Sequence, residues 1–348
     1  TKDDVVFHDY QKETYIIDAK VPRFGSGEAK GIINESVRGK DIYLMVDVCN
    51  YSLTYSLSGH TNHMSPDDHF QNLKRVIAAI GGKARRINVI MPFLYESRQH
   101  KRSSRESLDC ALALQELVRM GVDNIITFDA HDPRVQNAIP LSGFETVRPT
   151  YQFIKGLLQN VPDLKIDSEH MMAISPDEGA TGRAIYLANV LGLDMGMFYK
   201  RRDYTRIVDG RNPIVAHEFL GSSVEGKDVI IIDDMISSGD SILDVAKQLK
   251  ARKANRIFAA ATFGLFTNGM KKFDEAYEQG IIHGILTTNL IYQTPELLSK
   301  PYYINCDLSK YIALIIDTLN HDGSISSILS PNERIQNVVK KYRNGEKI

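Results

Sequence analysis

The chain has 348 residues, a length that suits about two domains. Hydrophobic residues make up 43% of it and charged residues 24%, the balance of an ordinary globular protein, and a net charge of −1 gives no general electrostatic footprint for nucleic acid. Cys49, Cys110 and Cys306 are far apart, with no CxxC or Cys/His cluster, so no zinc site is indicated and a reducing cytoplasm is expected. No apolar run nears the ~18 residues of a membrane span and no signal peptide is seen, so no membrane partner is expected.

Residues 1–23 are polar, with one strand candidate at Tyr15–Val21, and Phe24-Gly25-Ser26-Gly27-Glu28 reads as a flexible turn. Ile42–Val48 is a buried strand candidate. Residues 49–66 form a long polar connection, in which His60 and His63 read as solvated or, less simply, as metal ligands. Ser65-Pro66-Asp67-Asp68 starts a helix: an N-cap Ser, Pro at the first position and acids in the first turn. Phe70, Leu73, Ile77 and Ile80 form its apolar stripe, and Gly81-Gly82 stops it.

Three strand–helix–strand units follow. The first has a strand at Ile87–Leu94, a basic loop at Arg98–Arg105, a helix at Ser107–Met120 with Leu108, Ala111, Leu114, Leu117 and Val118 inward, and a strand at Ile125–Phe128. Pro140 to Pro162 reads as the passage between domains. The second unit has a strand at Met171–Ser175, the turn Pro176-Asp177-Glu178-Gly179, a helix with Ala184, Leu187, Ala188 and Leu191 inward, and a strand at Met195–Tyr199. The third runs from Val229 to Thr262, and the tail Asn332–Tyr342 reads as a short charged helix. Strands alternating with helices imply parallel sheets with right-handed crossovers.

The third unit carries the densest chemistry. Val229-Ile230-Ile231-Ile232 runs straight into Asp233-Asp234-Met235-Ile236-Ser237-Ser238-Gly239-Asp240-Ser241, and Ile242, Val245, Ala246 and Leu249 then mark a helix. A loop between a buried strand and a helix N-terminus offers free N–H groups, and the Ser hydroxyls add donors: a phosphate cradle. Two acids at the strand's carboxyl end suit ribose hydroxyls or Mg²⁺. The plain alternative is a solvated Asp pair with a capping Ser. Other polar clusters also follow strands. Arg98-Gln99-His100-Lys101-Arg102 reads as a polyphosphate clamp or a solvated loop, and Lys200-Arg201-Arg202 as a basic strand end. His131 reads as a capping or satisfied His, and Asp177 as a helix-start acid. Together they supply the positioning and charge neutralisation that phosphoryl-type transfer needs.

The stretch Asp-Asp-x-x-x-Ser-Gly-x-Ser resembles the phosphoribosyl-binding signature of the type I phosphoribosyltransferase fold, with Ser where that fold usually has Thr. From about Phe24 to about Ser330 the chain resembles the ribose-phosphate diphosphokinase family. The likeness lies in Glu35–Tyr43, Pro92-Phe93 to Arg98-Gln99, Asp123–His131 and Ser175–Gly179. The resemblance implies two α/β domains of phosphoribosyltransferase type I, each with a mainly parallel sheet flanked by helices. It divides the chain into an ATP-binding domain at 1–157, a ribose-5-phosphate-binding domain at 158–318 and a tail at 319–348. It implies pyrophosphoryl transfer from ATP to the 1-hydroxyl of ribose 5-phosphate with Mg²⁺. Phe24, Glu28, Arg98 and Gln99 match ATP contacts, and His131 and Asp177 metal ligands. Asp177 and Gly179 match the pyrophosphate loop, Lys200 and Arg202 the catalytic pair. Asp233 and Asp234 match the ribose-binding acids, and Ser237, Ser238, Gly239, Asp240 and Ser241 the 5-phosphate loop.

The same resemblance implies a homo-oligomer, dimer to hexamer, with ATP shared across an interface through the Phe24–Glu28 loop. Three departures stand out. Ser26 occupies a position that is usually Asn or Asp, the basic loop is one residue short, and residues 49–66 and 203–224 are longer than usual. The family's first strand and helix have no clear counterpart before Tyr15, so the N-terminus reads as truncated. Two competing readings remain: a phosphoribosyltransferase, which would need no ATP loop, and a non-catalytic regulatory partner of a synthetase, which would be expected to lose the Lys-x-Arg pair or a metal ligand.

Overall fold

The computed structural model describes residues 14–202 and 214–348, without the side chains of residues 200–202 and 214–217. Strands β1 (Ala19–Lys20) and β2 (Ile32–Ile33) form a small antiparallel ribbon, so only the end of the candidate at 15–21 is a strand. Strand β3 (Asp41–Met45) follows, and then β4 (Thr54–Leu57) and β5 (His60–His63) pair as a hairpin. The long polar connection expected at 49–66 is therefore partly a ribbon. Ser58 and Gly59 close it, both at positive φ, the geometry that suits the twist of a two-residue hairpin.

Helix α1 (Pro66–Ile80) begins as expected. The Ser65 hydroxyl accepts from the Asp68 N–H while the Asp68 carboxylate accepts from the Ser65 N–H. Strands β6 (Arg86–Ile90) and β7 (Asn124–Phe128) flank helix α2 (Asp109–Arg119). This helix is turned from its expected face: Cys110, Ala113, Leu114 and Leu117 are buried, whereas Leu108, Ala111 and Val118 are only partly so. A 3-10 turn (Pro133–Ala138) follows β7, and strand β8 (Gly143–Val147) and helix α3 (Thr150–Asn160) occupy the expected passage. Strands β3, β6, β7 and β8 form one parallel sheet in the order β3-β6-β7-β8.

The second sheet comprises β9 (Met171–Ser175), β10 (Asp194–Arg202), β11 (Ile214–Leu220), β12 (Asp228–Ile236), β13 (Ile257–Gly264), β14 (Gly284–Thr288) and β15 (Tyr303–Cys306). Its order is β11-β10-β9-β12-β13-β14-β15, and every pair is parallel except β10–β11. Helices α4 (Thr181–Leu191), α5 (Asp240–Ala251), α6 (Lys271–Glu278), α7 (Pro295–Leu298), α8 (Ser309–Asn320), α9 (Ser326–Leu329) and α10 (Asn332–Arg343) complete the chain. Among the described residues no helix is long and apolar enough to cross a membrane.

Apolar packing decides how the two sheets share the helices. The division expected at residue 157 lies within α3, whose Phe153, Ile154, Leu157 and Leu158 all belong to the second sheet's core. The tail helix α10 adds Ile335, Val338 and Val339 to that core. Helix α8 instead sends Tyr311, Ile312 and Ile315 into the first core, beside Phe263 from β13 and Leu290 from the loop after β14. Phe93 and Phe263 meet edge to face, 5.0 Å apart. Truncating Phe153 to Ala leaves a cavity under β14 and β15 and should lower unfolding stability by about 3–5 kcal/mol, read as a fall in the urea midpoint. A loss under 1 kcal/mol would contradict the placement of α3.

Candidate active site

The carboxyl ends of β7, β9, β12 and β13 face one junction. Strand β12 runs through Asp233 and Asp234 to Ile236, paired with β13 as far as Gly264, so the two acids lie inside the strand and not just beyond it. Alternation within a strand then turns neighbours to opposite faces. Asp234 is buried and its Oδ2 lies 2.7 Å from His131 Nδ1, while Asp233 is half-buried and its Oδ1 accepts from the Asp234 N–H at 2.8 Å.

His131 reaches this position because β7 ends in an unusual turn. Asp129 adopts a left-handed conformation, φ 42°, which Asp tolerates better than most residues. Its N–H donates to Val147 O, and the Ala130 N–H to Thr146 Oγ1. The Asp129 carboxylate is buried and takes bonds from two elements of the other sheet: Arg183 Nε in α4 at 2.8 Å, and Thr262 Oγ1 in β13 at 2.7 Å. Arg183 Nη2 also donates to Ala130 O at 3.1 Å and lies 4.0 Å from Asp234 Oδ2. Sequence reasoning missed Asp129, Arg183 and Thr262 as site residues. The available signal was an acid at a strand's end beside an already suspected His.

The electrostatics of the paired acids are opposed. Burial pushes the Asp233 carboxyl well above its ordinary range, and the charge of Asp234 adds to the effect. Burial also pushes Asp234 up, but the His131 ring and the Arg183 guanidinium outweigh it and hold that carboxyl below its usual value. Asp129 is raised by burial against the opposing charge of Arg183. Of the three acids, Asp234 is held toward its ionised form, while burial disfavours ionisation of Asp233 and Asp129.

The loop after β12 leads through Ser237 and Ser238 into the start of α5. Gly239 sits at φ 85° and caps α5, and an added Cβ would fall 2.2 Å from the Phe273 ring. Ser237 and Ser238 are half-buried, and Ser241 is exposed in the first turn of α5. Asp240 turns outward to pair with Lys272 at 2.6 Å. Asp177 closes the turn between β9 and α4, its Oδ1 accepting from the Gly179 and Ala180 N–H groups. Its charge is felt at Asp233. Among the described residues no group of three His, Cys, Asp or Glu side chains forms a ready metal cage.

The other expected residues are placed as follows. Gln99 donates to Ser107 O at 2.7 Å and so ties its own loop, and Arg98 is exposed. His100 lies 3.4 Å from Asp132 and its ring is 5.3 Å from that of His131, whereas Lys101 and Arg102 are exposed. Phe24 is 53% exposed on a turn pinned by Arg23, which donates to Gly27 O and pairs with Asp68. The polar contacts of Glu28 stay within that turn. The backbones of Lys200 and Arg202 belong to β10, but their side chains lie outside the described residues.

Replacing Asp233 by Asn keeps the oxygen that accepts from Asp234 N–H and removes the second charge. Because the folded carboxyl is raised, its ionised form costs stability above that raised value. The variant should therefore melt higher than the parent at pH 8, with the gain shrinking as the pH falls through the range where Asp233 protonates. A lower melting point at pH 8 would contradict the assigned charge pattern.

Comparison with known proteins places the chain in a family. The model described as the N-terminal domain of ribose phosphate pyrophosphokinase matches residues 9–121, and the one described as a phosphoribosyl synthetase-associated domain matches residues 210–330. Ribose-phosphate pyrophosphokinase of Shewanella oneidensis is 30% identical over 317 residues, covering 90% of this chain and 91% of that one. The Vibrio cholerae protein of the same name is 29% identical over 318 residues, covering 90% and 91%. The crystal structure of phosphoribosylpyrophosphate synthetase from Mycobacterium smegmatis superposes with a TM-score of 0.73 at 22% identity, covering 88% of this chain and 92% of that one, a likeness of fold. The chain belongs to the ribose-phosphate pyrophosphokinase family and is an enzyme of that kind.

Proposed function

We propose that the protein transfers the pyrophosphoryl group of ATP to the 1-hydroxyl of ribose 5-phosphate, giving 5-phosphoribosyl 1-diphosphate and AMP. The observation that carries this reading is the convergence, at one junction, of a phosphate-shaped loop, a strand-borne acid pair and a His from the other sheet. The loop at Ser237–Ser241 suits the 5-phosphate, with the N-terminal N–H groups of α5 behind it. Asp233 is then placed for ribose hydroxyls, and ligand hydroxyls would satisfy a carboxylate that is otherwise poorly solvated. The turn at Asp177–Ala180 offers the start of α4 to the diphosphate.

Mg²⁺ fits the donor set. It is a hard ion that keeps several waters and takes few protein ligands beside substrate phosphates, so a ready-made cage is not required. With Nδ1 of a neutral His131 donating to Asp234, the other ring nitrogen is left as an acceptor, and Asp177 retains a carboxylate oxygen beyond the one used in its turn. When bound, the ion would offset charge on the transferring phosphates. Lys200 and Arg202, at the exit of β10, would meet the charge that grows on the transferred group. Phe24 offers an exposed ring for adenine, and Arg98 an exposed guanidinium for the phosphates. A ring left exposed on a pinned turn suits a site completed by a second copy of the chain, so a homo-oligomer is part of the proposal.

One observation favours a second reading, a non-catalytic partner of a synthetase: the description of the model that matches residues 210–330. Against it stand the retained His131, Asp177, Asp233, Asp234, Lys200 and Arg202. The experiment is AMP release from ATP with and without ribose 5-phosphate. AMP should appear only with the sugar phosphate, vanish with chelator and return with Mg²⁺. The Lys200→Ala and Arg202→Ala variants should each lose at least about 10²-fold in kcat, against 10³–10⁵ for an arginine that meets transition-state charge, with little change in ribose 5-phosphate affinity. No AMP under any condition would favour the non-catalytic reading.

A further inference from the structure

Arg183 makes contacts that no binding role explains. It leaves α4 just after the Asp177–Ala180 turn, yet its guanidinium is turned away from solvent, with only 11% of its side chain exposed. Its fork spans Asp129 Oδ1 and Ala130 O, the two residues before His131, and its outer nitrogen lies 4.0 Å from the oxygen of Asp234 that holds the His131 ring. One side chain from the second sheet thus holds the backbone that leads into His131 and brings its charge to 4.0 Å from the carboxylate that orients the imidazole. None of its hydrogen bonds goes to the 237–241 loop.

We infer that Arg183 is a positioning residue: it sets His131 and Asp234 in register across the junction of the two sheets, so that the diphosphate end of the site is assembled by a side chain that touches no substrate. The inference rests on the diphosphoryl-transfer reading given above. A misplacement of about 1 Å in such an arrangement can cost about 10²-fold in rate, which makes a non-contacting residue visible in kcat. Lys cannot replace the fork, since it brings one ammonium where two separated acceptors are held.

A double-mutant cycle tests this. Arg183→Met should lower kcat by about 10²-fold, as a loss of positioning does, while calorimetric affinity for ribose 5-phosphate stays within about threefold, because the 5-phosphate loop is untouched. In a His131→Ala background the same change should cost less than about threefold, since residues acting as one unit are non-additive. Arg183→Lys should keep the fold, with activity between the parent and the Met variant, and takes its place in the cycle if the Met variant does not fold. Equal penalties in both backgrounds, or loss of ribose 5-phosphate affinity in step with kcat, would overturn the assignment. Unaltered protein that released no AMP would instead overturn the reaction itself, so the two failures are distinguishable.

Discussion

The structure depends on one buried ion pair at the junction of its two sheets. Asp129 belongs to the first sheet and Arg183 to the second, and Thr262 supplies the remaining bond to the carboxylate. Burying two charges is unfavourable unless their hydrogen bonds are met, and here the fork of Arg183 finds both a carboxylate and a main-chain carbonyl. Removing either partner of such a pair costs about 3–5 kcal/mol, because the other is left buried and alone. The apolar contacts around it, such as Phe93 on Phe263 and α8 in the first core, pull the sheets together without specifying their register. The polar triad supplies that register at the place where His131 must meet Asp234.

Around this point the chain accepts local strain for ligand geometry. Asp129 is in a left-handed conformation, and Gly239 is pressed against Phe273 where no side chain fits. Asp233 and Asp234 are adjacent in a buried strand, an arrangement that costs stability in the free protein. All three features lie in or beside the 5-phosphate loop or the His131 arm. Natural proteins break local rules in this way mainly at functional sites.

Much of this was legible in the sequence, for physical reasons that differ by region. The helix at Ser65 was readable because its start and stop are encoded in side chains that make the bonds themselves. The strand at Met171–Ser175 and the helix after it were readable because a buried strand is continuous in apolar residues and a helix repeats at 3.6. Residues 140–162 were not, because Pro140, Pro149 and Pro162 flank short elements and mask the apolar face of α3. The 49–66 hairpin was missed because its apolar face is only Tyr55 and Leu57 on β4, β5 is polar throughout, and only Ser58-Gly59 marks the turn. At the site, Asp233, Asp234, His131 and Asp177 could be named from motifs. Arg183 and Thr262 could not, since their importance lies in contacts across 54 and 133 residues of sequence to Asp129.

The central claim is that a phosphate loop, an acid pair and a His–carboxylate pair from two sheets form one site. A crystal structure with Mg²⁺, a non-hydrolysable ATP analogue and ribose 5-phosphate tests it most directly. The account predicts the sugar phosphate over Ser237–Ser241 with its hydroxyls on Asp233, and the diphosphate between the Asp177 turn and His131. A nucleotide phosphate chain bound away from His131 and Asp177, or a sugar phosphate away from the 237–241 loop, would contradict it.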